Sequence, residues 1–421
     1  MKVLIKQARI ISPSSPFNGQ IKDILISDGI ITQIADAISD KADQLIAQKD
    51  LCMSIGWMDV FSNFADPGFE YKETLETGAK AAAAGGFTDV MVIPNTNPVV
   101  HNKAQVEYII QKAKALAVNI YPIGAVTKNI AGGDLAEMYD MHQSGALAFS
   151  DGTSSVQSSG LLLKALQYVK SFDGTVIQIP DDKSIGANGL MNEGIISTQL
   201  GLPGKPAIAE ELMVARDIKL ARYTDSKLHF TGIASAKSLE YIRRAKDGGI
   251  NVTCSVSPQH LFFTENDLQD YNTNLKLNPP LRTETDRLAL IKAVADGTVD
   301  CIASHHFPQN QDGKICEFEY AKEGMIGLES LFGVLRSVID TQWSIEEYVN
   351  FLSINPRRIF GIAIPEIKEG AAASLTLFNN DEEYVFDEKM IRSKSKNSAF
   401  AGKKLKGRVA GIINKGKVEL N

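Results

Sequence analysis

Cysteine is scarce in this chain of 421 residues, and the four that occur are scattered: Cys52, Cys254, Cys301 and Cys316. None of them forms a C-x-x-C pair, which argues against a disulfide scaffold and against a thiolate zinc ribbon. We therefore predict reduced, mostly buried thiols in a cytoplasmic protein.

Long apolar runs and an excess of positive charge are also missing. No stretch approaches the roughly 20 apolar residues that a membrane-spanning helix needs, and the first residues lack the apolar region of a signal peptide. The formal net charge is -6 and the pI is about 5.7. We therefore expect the protein to bind neither membranes nor nucleic acids.

A glycine-rich loop of the form G-x-G-x-x-G is absent, which counts against a doubly wound open sheet, the main structural competitor. Strand-like and helix-like segments instead alternate after Asp59. Eight strand candidates, counting the opening one, predict an α/β protein with a (β/α)8 TIM barrel. The opening stretch is 55–68, and the others lie at 88–93, 118–123, 146–149, 175–179, 227–231, 250–256 and 299–303.

Short strand signals dominate both ends of the chain, and Ser27-Asp28-Gly29 has the composition of a hairpin turn. We predict that residues 1–54 and 363–421 form the two parts of one discontinuous β-sandwich. The barrel is predicted to occupy residues 55–362 between them.

The stretch from Ile55 to Gly68 is the one around which this barrel is organised. A barrel strand aims side chains from its carboxyl end into a pocket. The positions predicted to point inward hold Phe61, Asn63 and Ala65, and none of these is a good metal ligand.

Several motifs follow one another along the chain: M-N-E-G at 191–194, L-G-L-P-G at 200–204, N-L-K-L-N-P-P-L-R at 274–282, G-L-E at 327–329 and K-S-K-N at 394–397. In this order they resemble the dihydroorotases of the amidohydrolase superfamily, of the type found in multienzyme pyrimidine complexes. The resemblance covers nearly the whole length.

The resemblance implies a barrel with a zinc-centred site beside a β-sandwich. The family's reaction is the reversible hydrolysis of dihydroorotate to carbamoyl aspartate. Metal-bound hydroxide attacks the ring carbonyl, and an Asp at the end of the last strand carries the proton. Such zinc chemistry needs histidine nitrogens and carboxylates around the ion, with one position open for water.

Most positions to which the resemblance assigns this chemistry hold other residue types here. Phe61 and Asn63 stand at the positions of two histidines, and Ala65 stands at that of the carboxylate-binding Arg. Asp151 stands at the position of the bridging acid, Ile179 and Gly232 at those of two later histidines, and His305 at that of the shuttling Asp. Of these positions, only Asp151 keeps the family's residue type. Without the other ligands, the free-energy cost of removing the metal ions from water is not compensated. We therefore predict no metal ligands, no binuclear zinc site and no cofactor.

Structural roles compete with functional ones at the remaining acids. Asp59 is predicted to be a strand-end carboxylate that is hydrogen-bonded locally. Asp151 precedes Gly152 and is either a turn former or a residue with a remaining functional role. Adjacent residues on a strand face opposite ways, so His305 and His306 are not expected to share an ion.

Two amides are candidates for substrate binding. The resemblance assigns Asn95 and Asn278 to contacts with the substrate's ring and carboxylate. The competing role for Asn95 is to cap the turn between Pro94 and Pro98, and we favour this role.

The leading hypothesis is a catalytically inactive dihydroorotase homologue. By resemblance it is a structural partner of aspartate carbamoyltransferase, and it is expected to form a homo-oligomer. The alternative is a divergent cyclic-amide hydrolase of the dihydroorotase, hydantoinase or allantoinase class, with a degenerate metal site and His305 or Asp151 as the base. A third hypothesis is a small-molecule binding module that uses Asn95 and Asn278.

Overall fold

The computed structural model describes residues 1–339 and 343–421. The chain begins with five strands: β1 Lys2–Ile11, β2 Ile21–Ser27, β3 Ile30–Ala35, β4 Gln44–Ile46 and β5 Leu51–Ile55. β2 and β3 form an antiparallel hairpin in which Ser27 pairs with Ile30. Asp28 and Gly29 have φ of 50° and 81°, the left-handed conformation that two-residue hairpin turns require. The predicted turn is confirmed.

Eight parallel strands then form the barrel, in the order of the chain from the first to the last. They are β6 Trp57–Ser62, β7 Phe87–Val92, β8 Asn119–Gly124, β9 Ala148–Phe149, β10 Thr175–Gln178, then β13 Lys227–Phe230, β14 Val252–Val256 and β15 Cys301–Ile302; the short β11 Met191–Asn192 and β12 Gly204–Lys205 pair with each other. The predicted (β/α)8 barrel is confirmed.

Helices surround the barrel: α1 Leu75–Ala84, α2 Lys103–Ala113, α3 Met138–Gln143, α4 Ser159–Lys170, α5 Ile195–Leu200, α6 Ile208–Thr224, α7 Ala236–Asp247, α8 Pro258–Phe262, α9 Glu284–Ala295, α10 Leu331–Ile339, α11 Ile345–Val349 and α12 Asn355–Phe360. Side-chain caps set several starts, as when Thr74 and Thr283 accept backbone N–H bonds in capping boxes at α1 and α9. Within the described ranges, no helix is long and apolar enough to cross a membrane.

The last strands return to the N-terminal sheet. β16 Ser374–Val385, β17 Lys404–Asn414 and β18 Lys417–Leu420 follow the barrel. β16 pairs antiparallel with β5, which gives an eight-stranded sheet built from both ends of the chain. The predicted discontinuous β domain is thereby confirmed, whereas its boundaries at residues 54 and 363 stay predictions.

The carboxylate of Asp59 joins the first barrel strand to the segment after the last. Its Oδ1 accepts the N–H of Ser304 at 2.6 Å, and its Oδ2 accepts the hydroxyls of Ser304 at 2.9 Å and Ser62 at 2.5 Å. Ser62 pairs with His306 in parallel, which closes the barrel. Asp59 is therefore a structural carboxylate, as predicted.

A buried ion pair ties the last barrel helix to the bottom of β7. Arg357 in α12 donates to Asp89 Oδ2 at 2.5 Å and to the Gly56 carbonyl at 2.7 Å. The side chains of Arg357 and Asp89 are 1% and 5% exposed. Removing one partner of such a pair leaves an uncompensated charge in a medium of low polarity.

We expect Arg357→Ala to lower the free energy of unfolding by about 3–5 kcal/mol, since Asp89 would be left buried without its cation. The matched control is Arg244→Ala, which removes a 70% exposed guanidinium paired with Glu240 and should cost less than about 1 kcal/mol. Urea unfolding of both variants measures the difference. Equal costs would contradict the assigned role of the buried pair.

Candidate functional site at the barrel mouth

The carboxyl ends of the barrel strands meet at one mouth, where barrel enzymes carry their active sites. Phe61 lies in β6, Asp151 follows β9, Ile179 follows β10, Gly232 follows β13 and His305 follows β15. The structure thus places at one mouth the positions that the sequence pattern had assigned to one site.

Apolar side chains fill the barrel beneath this mouth. Phe61 and Ile179 are 0% and 2% exposed. They belong to one buried cluster with Met58, Val60, Met91, Ile93, Ile123, Ala148, Ile177, Cys301, Ala303 and Phe360. Carbon side chains offer no lone pair to an ion, so these two positions contribute packing.

Asn63 and Ala65 form a turn at the end of the first strand. The Asn63 Oδ1 accepts the Ala65 N–H at 2.8 Å, and Ala65 has a φ of 56°. The side chain of Asn63 therefore stabilises the loop backbone through its oxygen, and the residue lines the open cleft above the mouth.

Gly232 and His305 are fitted to each other. Gly232 has a φ of 70°, and a Cβ placed there would lie 2.7 Å from Cε1 of His305. The His305 ring also packs against Phe61, with 5.2 Å between ring centroids. The imidazole thus occupies the space that a side chain at position 232 would need.

A chain of hydrogen bonds runs from His305 into the barrel. His305 Nε2 lies 2.9 Å from the Thr231 hydroxyl, which accepts a bond from Ser255 at 2.8 Å. His229 contacts Ser255 through Nε2 at 3.1 Å and Thr253 through Nδ1 at 2.9 Å. His229 is therefore a packed strand residue.

The imidazoles of His305 and His229, which belong to this hydrogen-bond network, are both neutral near pH 7. Burial, with smaller contributions from His260 and His229, lowers the pKa of His305 to about 3. Burial likewise lowers the pKa of His229 to about 3. A base with so low a pKa has little tendency to take up a proton at neutral pH.

Asp151 is held by the loop after the third barrel strand. Its Oδ1 accepts the backbone N–H of Thr127 at 2.9 Å, and its Oδ2 accepts the Thr127 hydroxyl at 2.5 Å. Burial raises the pKa of Asp151, and the bonds from Thr127 oppose this effect. Both oxygens thus have a structural partner, which supports the structural alternative without testing a functional one.

Asn95 links two loops of the mouth. Its Nδ2 donates to the Asp151 carbonyl at 3.4 Å and the Thr153 hydroxyl at 3.3 Å, and its Oδ1 accepts the Thr153 N–H at 3.3 Å. A Cβ on Gly152 would lie 1.5 Å from that oxygen, so only glycine fits there. Asn95 bonds across to these residues and not to its own turn, contrary to the capping that we favoured.

Asn278 is tied to an ion pair at the far side of the mouth. Its Oδ1 accepts a bond from Lys205 at 3.3 Å, and Lys205 is paired with Asp181 at 2.7 Å. Asn278 also lines a small cavity beside His305. Substrate binding by Asn95 and Asn278 stays a prediction.

Two spaces open at the mouth. A small cavity of about 40 Å³ lies beside His305, His260 and Asn278. A cleft of about 790 Å³ lies above it and is lined by Asn63, Ala65, Lys72, Asn95, Lys276, Lys322 and others. Thr153, Phe307 and Glu323 border both spaces. These three residues thus join the small cavity to the open cleft.

The two adjacent histidines face opposite ways, as predicted. His305 faces Thr231 and the small cavity, whereas His306 Nε2 lies 3.5 Å from the buried carboxylate of Glu73. His260 anchors its loop through Ser257 at 2.7 Å and the Pro279 carbonyl at 3.0 Å.

Known proteins resemble this chain over its full length. Residues 53–238 match the family model described as Dihydro-orotase-like. A dihydroorotase of Acetivibrio thermocellus is 42% identical over 419 residues, which cover 99% of this chain and 98% of the relative. One of Syntrophus aciditrophicus is 39% identical over 422 residues and covers 99% of both chains. The chain belongs to the dihydroorotase family.

Solved structures agree on the fold. The L-hydantoinase from Arthrobacter aurescens superposes on this dihydroorotase-family chain with a TM-score of 0.84 at 22% identity, covering 99% of this chain and 95% of that one. At this identity the likeness establishes the fold alone. It confirms the barrel with its attached sheet.

The comparisons contradict the prediction of no cofactor. The relatives and structural neighbours are dihydroorotases and hydantoinases, which are zinc-dependent enzymes. For a dihydroorotase-family chain, zinc is the cofactor to expect. The prediction is wrong because the residue types at single positions do not determine which cofactor a protein of this family requires.

The side chains at the family's ligand positions nevertheless do not fit the family's binuclear centre. Phe61, Ile179 and Gly232 offer no donor atom, and both oxygens of Asp151 are engaged by Thr127. In residues 1–339 and 343–421, no group of three or more His, Cys, Asp or Glu is arranged to hold a metal ion.

Sequence reasoning missed several residues that shape this site. Thr127 holds Asp151, Thr231 holds His305, and Lys205 joins Asp181 to Asn278. Thr231 directly precedes Gly232 and Lys205 directly follows the L-G-L-P-G motif, so this adjacency was the available signal. Thr127 carried none.

We expect Gly232→Ala to lower the free energy of unfolding by about 2–4 kcal/mol, because the new methyl group meets both backbone strain and the His305 ring. Gly201→Ala is the matched control: Gly201 has a φ of 66° and no atom within 4 Å of its Cβ position. It should cost only the strain, about 1–2 kcal/mol.

Thermal or urea unfolding measures both variants. Adding His305→Ala to Gly232→Ala should cost less than the sum of the two single changes, because the clash is removed. Strict additivity would contradict the fit between the two positions.

Proposed function

We propose that this chain is a catalytically inactive member of the dihydroorotase family that acts in pyrimidine biosynthesis as a structural partner of aspartate carbamoyltransferase. The observation that carries the proposal is the state of His305. It stands where the resemblance places the proton-shuttling Asp, its Nε2 is engaged by Thr231, and its ring is packed on Phe61.

The family reaction needs a group that takes a proton from the attacking water and delivers it to the leaving nitrogen. Burial lowers the pKa of His305 to about 3, so this group is a poor base at neutral pH. The substrate's carboxylate also loses its bidentate partner, because Ala65 stands in place of the arginine. Proton transfer and substrate orientation are both weakened.

The alternative is a divergent cyclic-amide hydrolase. The observation that favours it is the small cavity beside His305, which is also lined by the polar side chains of Ser257 and Asn278. His305 Nδ1 has no hydrogen bond among the described residues and its ring borders this cavity. A cyclic amide that reached this space would meet an imidazole nitrogen.

We expect no hydrolysis of dihydroorotate and no cyclisation of carbamoyl aspartate above the uncatalysed rate, after incubation of the protein with zinc. The dihydroorotase of Acetivibrio thermocellus, 42% identical, is the positive control under the same conditions. Turnover within about a hundredfold of this control would overturn the proposed inactivity.

The same assay with hydantoin and allantoin separates the alternative. Turnover of either compound that disappears in His305→Ala would support the hydrolase and contradict the inactive partner.

Exposed apolar side chains on one side of the barrel support the partner role. Ile208, Leu212 and Tyr223 of α6 are 43%, 47% and 76% exposed, and Ile195 of α5 is 77% exposed. Apolar anchors of this kind supply much of the binding energy of protein interfaces. A homo-oligomer is the other assembly that we propose, and sedimentation distinguishes the two.

We expect the chain to co-sediment with the aspartate carbamoyltransferase of its own organism. Leu212→Glu with Tyr223→Glu should weaken the complex at least about tenfold, because a buried carboxylate replaces an apolar contact. Ile315→Glu alters an equally apolar, 71% exposed residue elsewhere and should have no effect. Separate sedimentation of the two unmodified proteins would contradict the partnership.

A further inference from the structure

We propose that Lys72 and Lys322 form an anion-binding site in the cleft above the barrel mouth, which takes a small ligand bearing a carboxylate or phosphate group. Both lysines line the same cleft as Ala65, which stands at the position of the family's arginine, and they are distinct residues from it. The inference does not depend on catalysis, because it concerns binding alone.

The first observation is that two ammonium groups share one cleft. Lys72 lies in the loop after the first barrel strand, and Lys322 lies in the segment that follows the last barrel strand, β15. Neither Nζ has a hydrogen bond or an ion pair within residues 1–339 and 343–421. The two lysines are 250 positions apart in the chain, so the fold alone brings them to one place.

Their backbones are fixed while their charges stay available. The Lys72 carbonyl accepts the Ser395 hydroxyl at 2.7 Å, and the Lys322 carbonyl accepts Lys314 Nζ at 2.7 Å. The Lys322 N–H donates to the Gly313 carbonyl at 2.8 Å. Both stems therefore start from anchored positions, and less conformational entropy is lost when a ligand binds.

The local charge balance leaves this pair uncompensated. Burial and then the charge of Lys322 lower the pKa of Lys72, and no carboxylate opposes them. Glu319 and Glu323 also line the cleft and raise the pKa of Lys276, and neither forms an ion pair with Lys72 or Lys322 among the described residues. An anion placed between Lys72 and Lys322 would relieve a repulsion that the protein does not relieve itself.

The walls supply further contacts suited to a small polar anion. Asn63 lines the cleft, and among the described residues its Oδ1 has a hydrogen-bond partner whereas its Nδ2 has none. Lys72 Nζ lies 5.4 Å from the Phe69 ring centroid, which restricts the ammonium to the cleft side. A cleft of about 790 Å³ accommodates a ligand of metabolite size.

Isothermal titration of the full chain with inorganic phosphate and with carbamoyl aspartate tests the proposal at low ionic strength. We expect at least one probe to bind, with an affinity that falls as salt is added. Binding of phosphate alone identifies a phosphate site, and binding of carbamoyl aspartate identifies a carboxylate site. Absence of heat with both probes at about 10 mM would overturn the proposal.

Lys72→Gln with Lys322→Gln should weaken binding at least about tenfold, because two charge-assisted contacts are lost. Lys164→Gln with Lys219→Gln is the matched control, since it removes two exposed positive charges from the outer helices α4 and α6. An equal loss in both double variants would show a general charge effect and would overturn the site. Circular dichroism confirms that each variant is folded.

Failure of this site is distinguishable from failure of the proposed function. Titration reports on the rim lysines whether or not turnover is seen, and the turnover assay reports on the barrel centre whether or not an anion binds.

Discussion

The carboxylate of Asp59 is the contact on which the barrel mouth depends. It accepts bonds from Ser62 on the first strand and from the backbone and hydroxyl of Ser304 after the last. Burial raises its pKa and these bonds oppose the rise, so the same donors that close the barrel also stabilise the charge. This closure sets the distance between β6 and the segment after β15. It thereby places the Phe61 ring against that of His305.

The residue types that fill the barrel mouth follow from the packing of the Phe61 ring against the His305 ring. Once His305 lies over Phe61, its Cε1 occupies the space beside position 232, and only glycine fits there with a positive φ. The hydrogen bond to Thr231 then holds the imidazole, and burial keeps it neutral. The position of the His305 ring therefore explains the glycine at position 232, the orientation of the imidazole itself and its neutral charge state. The frame of the family is retained while its polar centre is replaced by packing.

The sequence predicted what is local and periodic. All eight barrel strands and the helix Ala236–Asp247 were visible as alternating patterns, and Asp59 was recognisable from its flanking residues. Contacts between distant residues left no such signal. Thr127 with Asp151 and Lys205 with Asn278 depend on how loops from different strands meet. The cofactor prediction failed for another reason, because absent ligands at single positions do not define the requirement of a family.

Charge is distributed unevenly between the depth and the rim of the mouth. At depth, His305 is neutral and the carboxylate of Asp151 is occupied by Thr127. At the rim, neither Lys72 nor Lys322 has a carboxylate partner among residues 1–339 and 343–421. The described residues therefore place positive charge at the entrance, whereas apolar side chains fill the barrel beneath it. A positive field at the entrance favours the approach of anionic molecules over neutral ones, independently of the chemistry at the centre.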